Sequence, residues 1–431
     1  MHSLPLWQRM QLLDENIKVA IIGAGTIGKG LFYQCRITPG IECVAIADVR
    51  IERGINCAEL LPGEYRIVQD METMHDTIRG GYLAVSEDGD LLARCEMADL
   101  LIEASSSIAA AGQFSVTAIR HGKHLILMNA EADLIFGPYL MALAQENGVV
   151  YSSCDGDQHG VIKHLVDELV LWGFHLVMAG NIKGFLDRYS TPSKIIPEAD
   201  KRNLDYIQAT AMTDGTKLNI EMALVANALD LTVIVPGMRG PLAARVHDVF
   251  DLFDFDQIWR SGCPVVDYIL GAEPGGGVFA IGYCDNEYQR SMLSYYKMGD
   301  GPFYLFYRPY HLCHIEAIGG VAEAVLNGRP VLQPRHGFQT NVYTYAKRPI
   351  RKNERLDGLG GYTCYGLIED CGRAVDPGLP VCLAGDVKVG RDIARDERIS
   401  MTDIVCPTDR DDFVLYSKAL ETIDNERGKS R

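Results

Sequence analysis

The segment IKVAIIGAGTIGKG, residues 17–30, decides the fold of the first part of the chain. Its first seven residues form an almost continuous apolar run, as expected for a parallel strand that is buried on both faces. Gly23, Gly25 and Gly28 then follow with the spacing GxGxxG and open a helical stretch. A strand, a glycine-rich turn and a helix in this order predict a βαβ unit that binds a dinucleotide.

Each glycine of this turn has its own role in that interpretation. Gly23 allows the tight turn, Gly25 lets the backbone approach a pyrophosphate closely, and Gly28 lets the helix pack against the strand. The first helical residues, Thr26 and Ile27, offer unpaired amide groups and a partial positive charge to phosphates. We therefore predict that the turn binds the pyrophosphate of a nicotinamide cofactor.

The second predicted strand, IECVAIAD, ends at Asp48 and indicates which nicotinamide cofactor binds. A carboxylate at this position accepts hydrogen bonds from the adenosine ribose hydroxyls and repels a 2′-phosphate, which favours NAD over NADP. Arg50 lies two residues later and would bind a 2′-phosphate if Asp48 turned away. NADP therefore remains the alternative cofactor.

The strand and helix patterns continue through the first 150 or so residues. Three further buried strands are predicted at 98–105, 122–129 and 148–154, with helices at 108–121 and 133–146 between them. This alternation predicts an α/β fold with a Rossmann-type, doubly wound parallel sheet. Residues 60–97 do not follow the repeat, and we interpret them as an insertion with a helix near 70–80.

The pattern changes twice further along the chain, and we predict four segments. They are a Rossmann domain (1–155), a central α+β catalytic and dimerisation domain (156–335), a small β-rich domain (336–410) and a charged, frayed tail (411–431). In the central domain we expect a helix at 159–173, a turn at Asp214-Gly215 and antiparallel strands in GGGVFAIGY and FYLFYRPYHL. A helix at 312–327 is expected to return to the first domain.

Composition and charge exclude several classes of function. Lys plus Arg number 41 and Asp plus Glu 57, so the formal net charge is −16, which disfavours binding to nucleic acid or to a membrane surface. No uncharged apolar run is long enough to predict a transmembrane helix. The 12 cysteines are scattered and form no CxxC pair, as is typical of reduced thiols in a cytoplasmic protein. No metal-ligand pattern stands out, so the sequence leaves a metal site undetermined.

Candidate site residues follow from where the strands end. We expect the nicotinamide near three polar residues that follow the later strands, Ser105, Asn129 and Glu131. A carbinol substrate needs a group that exchanges its hydroxyl proton, and Lys183, just past a strand, is a candidate. Asp155 and Asp157 are candidates to orient a sugar hydroxyl or to hold a cation, although capping of the next helix explains one of them equally well.

A second group of candidates lies in the central domain. Lys217 and Glu221 are four residues apart and share one face if this run is helical, where a plain ion pair is the simpler interpretation. Arg308 and His311 follow an aromatic strand and suit a phosphate or a carboxylate, although His311 is equally well explained as a buried structural residue.

Several stretches of the sequence resemble a known family. They are MNAEAD, DGTKLNIEMALVANA, PGMRGP, FYLFYRPYHL and AKRPIRKNERLDGLGGY. They resemble homoserine-dehydrogenase-like oxidoreductases with a C-terminal SAF domain, and above all the 1-deoxy-D-xylulose 5-phosphate reductoisomerase-like group. The resemblance implies a Rossmann domain, a central catalytic domain, a β-clip-like SAF domain at 336–410 and a homodimer. It also strengthens the candidacy of five residues: Lys183, Lys217, Glu221, Arg308 and His311.

The sequence departs from the family at two positions that bear on the reaction. Homoserine dehydrogenases carry Asn-Lys where this chain has Asn129-Ala130-Glu131, which makes that activity a poor fit. The reductoisomerase-like group uses NADPH, for which an acidic residue at Asp48 is unexpected. The sequence therefore favours deoxyxylulose phosphate no more than a related polyol, sugar acid or sugar phosphate as the substrate.

Together these features predict an NAD(P)-dependent dehydrogenase or reductoisomerase of a small polyhydroxylated compound, phosphorylated or not, that carries a carbonyl or carbinol group. A reductoisomerase often uses a divalent cation across two substrate oxygens, for which Asp155, Asp157 or Glu221 would serve. A plain dehydrogenase needs no metal. The alternatives are a non-catalytic NAD-binding sensor or scaffold, and a lyase or epimerase that uses tightly bound NAD as a transient oxidant.

Overall fold

Residues 4–202, 204–371 and 377–429 are described by a computed structural model of the chain. The chain divides into two compact units. The first unit takes its residues from 1–157, 312–333 and 411–431, and the second from 158–311 and 334–410. The α/β class expected from the sequence is confirmed, whereas the domain boundaries given above stay predictions.

Strands and helices alternate in the first part of the first unit. The strands are β1 (Ile17–Ile22), β2 (Ile41–Ala47), β3 (Tyr65–Ile67), β4 (Leu83–Ser86), β5 (Leu100–Glu103), β6 (His124–Leu127) and β7 (Tyr151–Ser153). The helices are α1 (Leu6–Gln11), α2 (Thr26–Ile37), α3 (Ile51–Ala58), α4 (Met71–Arg79), α5 (Gly89–Arg94), α6 (Ile108–Arg120) and α7 (Ala130–Glu146).

These strands form one parallel sheet with the order β3-β4-β2-β1-β5-β6-β7. Strand β1 is buried along most of its length, with Val19 and Ile21 fully inaccessible to solvent, as its apolar run predicts. It pairs with β2 on one side and with β5 on the other, so the direction of the strand order reverses beside it. The carboxyl end of β1 is therefore the topological switch point, where ligands of such sheets bind.

The interpretation of residues 60–97 as an insertion is wrong. The helix expected near 70–80 is present as α4, but strands β3 and β4 flank it and extend the sheet. Strand β4 pairs with β2, and all four of its residues are buried. A strand this short carries too little periodicity to be recognised in the sequence, although it belongs to the core of the sheet.

The second unit contains a mixed five-stranded sheet with the order β12-β11-β8-β10-β9. Its strands are β8 (His175–Lys183), β9 (Thr232–Val233), β10 (Val265–Leu270), β11 (Val278–Tyr283) and β12 (Phe303–Arg308). Its helices are α8 (Gln158–Leu171), α9 (Pro192–Arg202), α10 (Tyr206–Thr213), α11 (Thr216–Leu229), α12 (Val249–Leu252), α13 (Phe255–Ser261) and α14 (Glu287–Tyr295). Strands β11 and β12 are antiparallel, as predicted.

The chain returns to the first unit with helix α15 (Cys313–Asn327), which packs against α2, so this expected return is confirmed. Four strands of the second unit follow: β13 (Thr340–Ala346), β14 (Cys364–Asp370), β15 (Lys388–Val389) and β16 (Ile404–Val405). Strands β13 and β14 form an antiparallel pair that packs against helix α11. This packing brings residues of the β-rich segment next to those of the central domain within one unit.

The C-terminal segment is a helix, where the sequence suggested a frayed tail. Helix α16 (Asp411–Lys429) packs against α6 and α7 of the first unit and buries Phe413, Leu415, Ala419 and Ile423. The helix was not recognised in the sequence because its apolar positions are spaced among many charged residues. Within the described parts of the chain, no helix combines the length and apolar character needed to cross a membrane.

Candidate functional site

The glycine-rich turn in the first unit has the geometry that dinucleotide binding requires. Gly23 has a φ of +97°, and a Cβ atom there would lie 2.5 Å from the carbonyl group of Ala104. A Cβ atom on Gly28 would lie 1.7 Å from the carbonyl oxygen of Gly23. At Gly25, by contrast, no atom lies within 4 Å of such a Cβ, so the backbone faces open space. The turn therefore fits the pyrophosphate of a dinucleotide, which needs close access to this backbone.

Helix α2 begins beside this open space. Gly25 is its N-cap, and no side chain caps the first turn of Thr26 and Ile27. Asp48, at the end of β2, accepts hydrogen bonds from the amides of Ala24 and Arg50, each at 2.9 Å. The carboxylate is thus fixed beside the turn, at the position where a ribose is expected in this fold.

The polar residues expected near the nicotinamide follow strands β5 and β6. The side-chain amide of Asn129 donates to the carbonyl of Ser105 at 2.9 Å, and its oxygen caps helix α7 by accepting from the amide of Ala132. Glu131 lies buried in the first turn of α7. These contacts join the ends of two neighbouring strands at the carboxyl edge of the sheet.

Glu103, the last residue of β5, is a buried carboxyl group that the sequence analysis did not single out. Its Oε1 accepts a hydrogen bond of 3.0 Å from the amide of Ser105, whereas Oε2 has no hydrogen-bond partner among the described residues. Burial raises the pKa of Glu103 to about 8, the hydrogen bond from Ser105 opposes this rise, and nearby Glu131 adds to it. Glu103 follows three consecutive apolar residues in ADLLIEAS, so the sequence analysis assigned it to the strand and gave it no role in a site.

Asp155 and Asp157 follow strand β7 and are both buried in the first unit. Oδ1 of Asp155 accepts from the amide of Gly156 at 2.7 Å, so this carboxylate contributes to a local turn. The thiol of Cys313 lies 3.7 Å from Oδ1 of Asp157. Helix α8 begins directly after Asp157, consistent with a capping role for one of the two.

Lys183, the candidate proton-exchanging residue, lies in the second unit. It ends strand β8, and burial lowers the pKa of its amine, while Glu221 and Asp214 oppose that shift. Glu221 lies on helix α11, where its side chain is buried. A lysine whose pKa is brought down from its ordinary value exchanges protons more readily near neutral pH.

Asp214 and Lys347 form a buried ion pair that the sequence analysis missed. Nζ of Lys347 lies 2.8 Å from Oδ2 of Asp214, and their side chains are 3% and 0% exposed. Burial raises the pKa of Asp214, while Lys347 and Thr216 oppose the rise. The sequence signalled only a turn at Asp214-Gly215, because the partner lies in a different predicted domain.

A cavity of about 260 Å³ opens in the second unit beside this pair. Residues from five parts of the sequence line it, among them Arg188, Tyr189, Asp214, Asn219, Tyr268 and Leu367. Arg188 forms no ion pair with any described residue, and its guanidinium lies 5.4 Å from the ring centre of Tyr365. The cavity thus combines one unpaired cation, amide and phenol groups, and an apolar wall, a combination that suits a small polar anion.

Asn181 is a further polar residue of strand β8, two positions before Lys183 and therefore on the same face of the sheet. Its side chain is fully buried, and neither its oxygen nor its nitrogen has a hydrogen-bond partner among the described residues. A buried amide in this state is rare in proteins and marks a place where a polar partner is expected.

The remaining candidates of the second unit are Lys217, Arg308 and His311. Lys217 lies on helix α11 four residues before Glu221, as predicted. The guanidinium of Arg308 lies 4.7 Å from the ring centre of Tyr310, and a ring nitrogen of His311 hydrogen-bonds the carbonyl of Gly276 at 2.7 Å. This contact orients the imidazole of His311, which is half-buried, and the role of this residue stays a prediction.

Comparison with known proteins identifies the central part of the chain. Residues 156–317 match the family described as "oxidoreductase DRL, catalytic domain", which confirms the resemblance to the reductoisomerase-like group. No curated relative matches the sequence.

Solved structures with a similar fold are distant in sequence. A homoserine dehydrogenase from Thiobacillus denitrificans is 13% identical over 90% of this chain and 98% of its own, with a TM-score of 0.44. GenD2 from gentamicin A biosynthesis, solved in complex with NAD, is 13% identical over 75% of this chain and 90% of its own, with a TM-score of 0.38. At these values neither structure bears on the substrate. The family match shows that residues 156–317 are similar to the catalytic domain of DRL oxidoreductases, which supports an oxidoreductase.

Proposed function

We propose that the protein is an NAD(P)-dependent dehydrogenase or reductoisomerase that acts on a small polyhydroxylated carbonyl or carbinol compound. The observation that carries this proposal is the match of residues 156–317 to an oxidoreductase catalytic domain, in which Lys183 ends strand β8 as a lysine whose pKa is lowered by burial. The cavity lined by Arg188 and Asn219 supports a substrate with hydroxyl groups and an anionic group such as phosphate or carboxylate.

The cofactor is proposed to bind at the glycine-rich turn. The amides of the first turn of α2 and the open space at Gly25 would hold the pyrophosphate, and Asp48 would accept from the ribose hydroxyls. Asp48 favours NAD, with NADP as the alternative. When bound, the nicotinamide would supply or accept a hydride, and the protein would provide the position and the proton.

Lys183 is the proposed acid and base. In the direction of reduction its ammonium form donates a proton to the carbonyl oxygen, which becomes the product hydroxyl. In the direction of oxidation its neutral amine takes the hydroxyl proton. Burial lowers the pKa of Lys183, and the charges of Glu221 and Asp214 oppose this shift, so burial and the two carboxyl groups together set the pH at which the lysine changes role.

A rearrangement before reduction would distinguish a reductoisomerase from a dehydrogenase. Such a step often relies on a divalent cation, for which either Asp155 and Asp157 in the first unit or Glu221 in the second unit are the proposed ligand candidates. Treatment with a chelator separates the two reactions. Loss of activity that a divalent cation restores favours the reductoisomerase, whereas full activity after chelation favours the metal-independent dehydrogenase.

The experiment that tests the proposed function follows the absorbance of the reduced cofactor over a panel of hydroxyketones, sugar acids and sugar phosphates. We expect turnover with at least one phosphorylated or acidic compound, and its loss in Lys183→Met with binding of the reduced cofactor retained. Tight cofactor binding without turnover of any compound would contradict the proposal and favour a sensor or scaffold. Cofactor that survives purification, with no net change in absorbance during turnover, would favour a lyase or epimerase.

We also propose an oligomeric state. The family resemblance leads us to expect a homodimer, and light scattering coupled to gel filtration tests this expectation. A monomer at micromolar concentration would contradict it.

A further inference from the structure

One loop of the second unit, residues 186–190, supplies three of the residues that line the cavity. They are Leu186, Arg188 and Tyr189. Arg188 is also exposed to solvent, so it lies where the cavity opens. The position of this unpaired cation relative to the cavity therefore depends on how the loop is held.

Asp396 holds the loop through Tyr189, the residue after Arg188. The hydroxyl of Tyr189 donates to the carboxylate of Asp396 and lies 2.9 Å from each of its two oxygens. The same carboxylate accepts a hydrogen bond of 2.9 Å from the hydroxyl of Tyr365. The guanidinium of Arg395 lies 3.9 Å from the ring centre of Tyr189. Tyr189 is thus fixed at its hydroxyl and at its ring.

Two further contacts join the loop to the β-rich segment 336–410, to which Asp396 belongs. Nζ of Lys347 donates to the carbonyl oxygen of Ser190 at 2.8 Å. The guanidinium of Arg188 lies 5.4 Å from the ring centre of Tyr365, within the range of a cation–π contact. The side chain of Tyr365 is only 1% exposed, so its ring is a fixed surface. The segment therefore contacts three consecutive residues of the loop.

These contacts matter because arginine has a long and flexible side chain. Ordering such a side chain on binding costs conformational entropy. A carboxylate that holds the neighbouring residue, and an aromatic ring beside the guanidinium, restrict the side chain before a ligand arrives. Binding energy that would otherwise be spent on ordering the cation then contributes to affinity.

Tyr268 is an independent sign that the cavity takes a ligand with acceptor oxygens. It lines the cavity with its side chain 8% exposed, and its hydroxyl has no hydrogen-bond partner among the described residues. The charge of Asp214, which also lines the cavity, is compensated by Lys347 at 2.8 Å. A guanidinium and a hydroxyl that both lack a partner suit a carboxylate or a phosphate.

We propose that Asp396 is a positioning residue for Arg188, because it fixes the loop on which Arg188 meets the carboxylate or phosphate group of the substrate. The inference rests on the proposed function, in which this cavity receives the substrate. It gives the β-rich segment 336–410 a part in substrate recognition by its own chain.

The test measures anion binding at Arg188 without cofactor or turnover. The full-length protein is labelled with ¹⁵N at the arginine Nε atoms, and the signal of Arg188 is identified by its loss in Arg188→Lys. The shift of this signal is followed during titration with inorganic phosphate and, separately, with acetate. We expect a saturable shift with at least one of them. Saturation with phosphate alone indicates a phosphorylated substrate, and saturation with acetate alone indicates a sugar acid. No saturable shift with either anion would overturn the proposal.

The decisive variant is Asp396→Gly, since Asp396 has a φ of +62°, which glycine adopts without strain. The dissociation constant of the anion should rise by about tenfold, the effect of losing one hydrogen bond to a charged group. Asp396→Asn keeps an acceptor for the hydroxyl of Tyr189 and should recover most of the affinity. An unchanged dissociation constant in Asp396→Gly would overturn the proposal.

Asp386→Gly is the matched control. Asp386 lies in the same segment, has a φ of +58°, and pairs with Arg355 at 2.8 Å, with both side chains mostly exposed. The same substitution there should leave the dissociation constant unchanged. An equal loss of affinity in Asp386→Gly and Asp396→Gly would mean that any disturbance of the segment weakens binding, which contradicts a specific role for Asp396.

Tyr189→Phe isolates the route of the effect, because it removes only the hydroxyl that Asp396 holds. It should weaken anion binding as well, and adding Asp396→Gly to it should have a smaller effect than in the wild type. Equal effects of Asp396→Gly in both backgrounds would show that the two residues act independently, and the proposal would fail.

The outcome is distinguishable from that of the proposed reaction. Anion binding that depends on Asp396, without turnover of any compound, would overturn the reaction and leave the positioning role of Asp396 intact. Turnover of a compound together with anion binding that does not depend on Asp396 would overturn only the positioning role.

Discussion

The amide of Ala24 donates a hydrogen bond of 2.9 Å to Oδ2 of Asp48, so the end of strand β2 is tied to the glycine-rich turn after strand β1. The other carboxylate oxygen accepts from the amide of Arg50 at the same distance. Asp48 therefore has two roles in this part of the fold. It fixes the turn, and it places a negative charge where the adenosine ribose of a dinucleotide is expected.

The first prediction concerns cofactor preference. In Asp48→Ala/Val49→Arg the repulsive carboxylate is removed and a cation is added at a residue that is 85% exposed. The affinity for NADPH relative to NADH should rise by roughly tenfold or more, since a 2′-phosphate then meets an arginine instead of a carboxylate. Isothermal titration calorimetry with both cofactors measures the ratio of the two affinities. A variant that binds both cofactors more weakly to the same degree leaves this ratio unchanged.

Val49→Arg alone is the control for this prediction. It adds the same cation but keeps Asp48, so the preference should move much less. An equal ratio in the wild type and the double variant would show that Asp48 does not contact the ribose.

The second prediction contrasts two glycines of one motif. Gly25→Ala places a methyl group in open space, so the thermal stability should be retained while affinity for the cofactor falls on the order of tenfold. Gly28→Ala places it 1.7 Å from the carbonyl oxygen of Gly23, so the free energy of unfolding should fall on the order of 2 kcal/mol.

Thermal unfolding and cofactor titration of both variants check this contrast. If Gly25→Ala bound the cofactor as tightly as the wild type, the pyrophosphate would not lie on this turn. If Gly28→Ala were fully stable, the helix would have room to move away from the strand, contrary to the geometry of the turn.

The features that the sequence predicted correctly are local ones. The run of residues 17–30 contains a strand, its turn and its helix without interruption, so a short window holds the whole signal. Strand β4 has four residues, and the apolar positions of helix α16 are spaced among many charges, so neither carries a strong period. Both elements are buried because they pack against elements that are distant in the sequence.

In the candidate site, too, the sequence predicted local features and missed contacts between distant parts of the chain. Lys183 and Glu221 were identified because each lies at a strand end or on a periodic run of its own. The pair of Asp214 and Lys347 joins residues that are 133 positions apart, 347 minus 214, and no spacing rule in one sequence connects them. Glu103 was hidden because a strand that is buried on both faces gives no sign of which side chain lies at a site.

The third prediction concerns Lys183 as an acid and a base. Lys183→Met should lower kcat/KM on the order of 100- to 10,000-fold, the usual contribution of a positioned proton donor, with little change in cofactor affinity. Because burial lowers the pKa of Lys183, the rate of reduction should fall as the pH rises through a value below that of an ordinary lysine. The rate of oxidation should rise over the same interval.

Steady-state kinetics in both directions across this pH range measure the fall in the rate of reduction and the rise in the rate of oxidation. Lys201→Met is a suitable control, because Lys201 pairs with Glu198 on helix α9, its side chain is mostly exposed, and its loss should leave both pH dependences unchanged. If both pH dependences persisted in Lys183→Met, the proton transfer would belong to a different group.

The last prediction concerns the buried carboxyl group of Glu103. Its pKa in the folded protein is raised to about 8, so it is mostly protonated at neutral pH, whereas in the unfolded chain it is ionised above its ordinary pKa. The folded state therefore binds one more proton than the unfolded state between these two values, and stability decreases as the pH rises through this interval. Glu103→Gln keeps an acceptor for the amide of Ser105 and removes the ionisation.

We therefore expect the variant and the wild type to differ little in stability near pH 5, and the variant to become the more stable of the two as the pH approaches 8. The difference should grow to a few kcal/mol, because a shift of one pKa unit corresponds to about 1.4 kcal/mol and relaxation of the protein reduces the total. Thermal unfolding of both proteins at several pH values measures it. Glu96→Gln, at a mostly exposed position that precedes the same strand, should show no such divergence. Parallel stability curves for Glu103→Gln and the wild type would mean that Glu103 is ionised in the folded protein, and that a cation or a donor near the carboxyl edge of β5 compensates its charge.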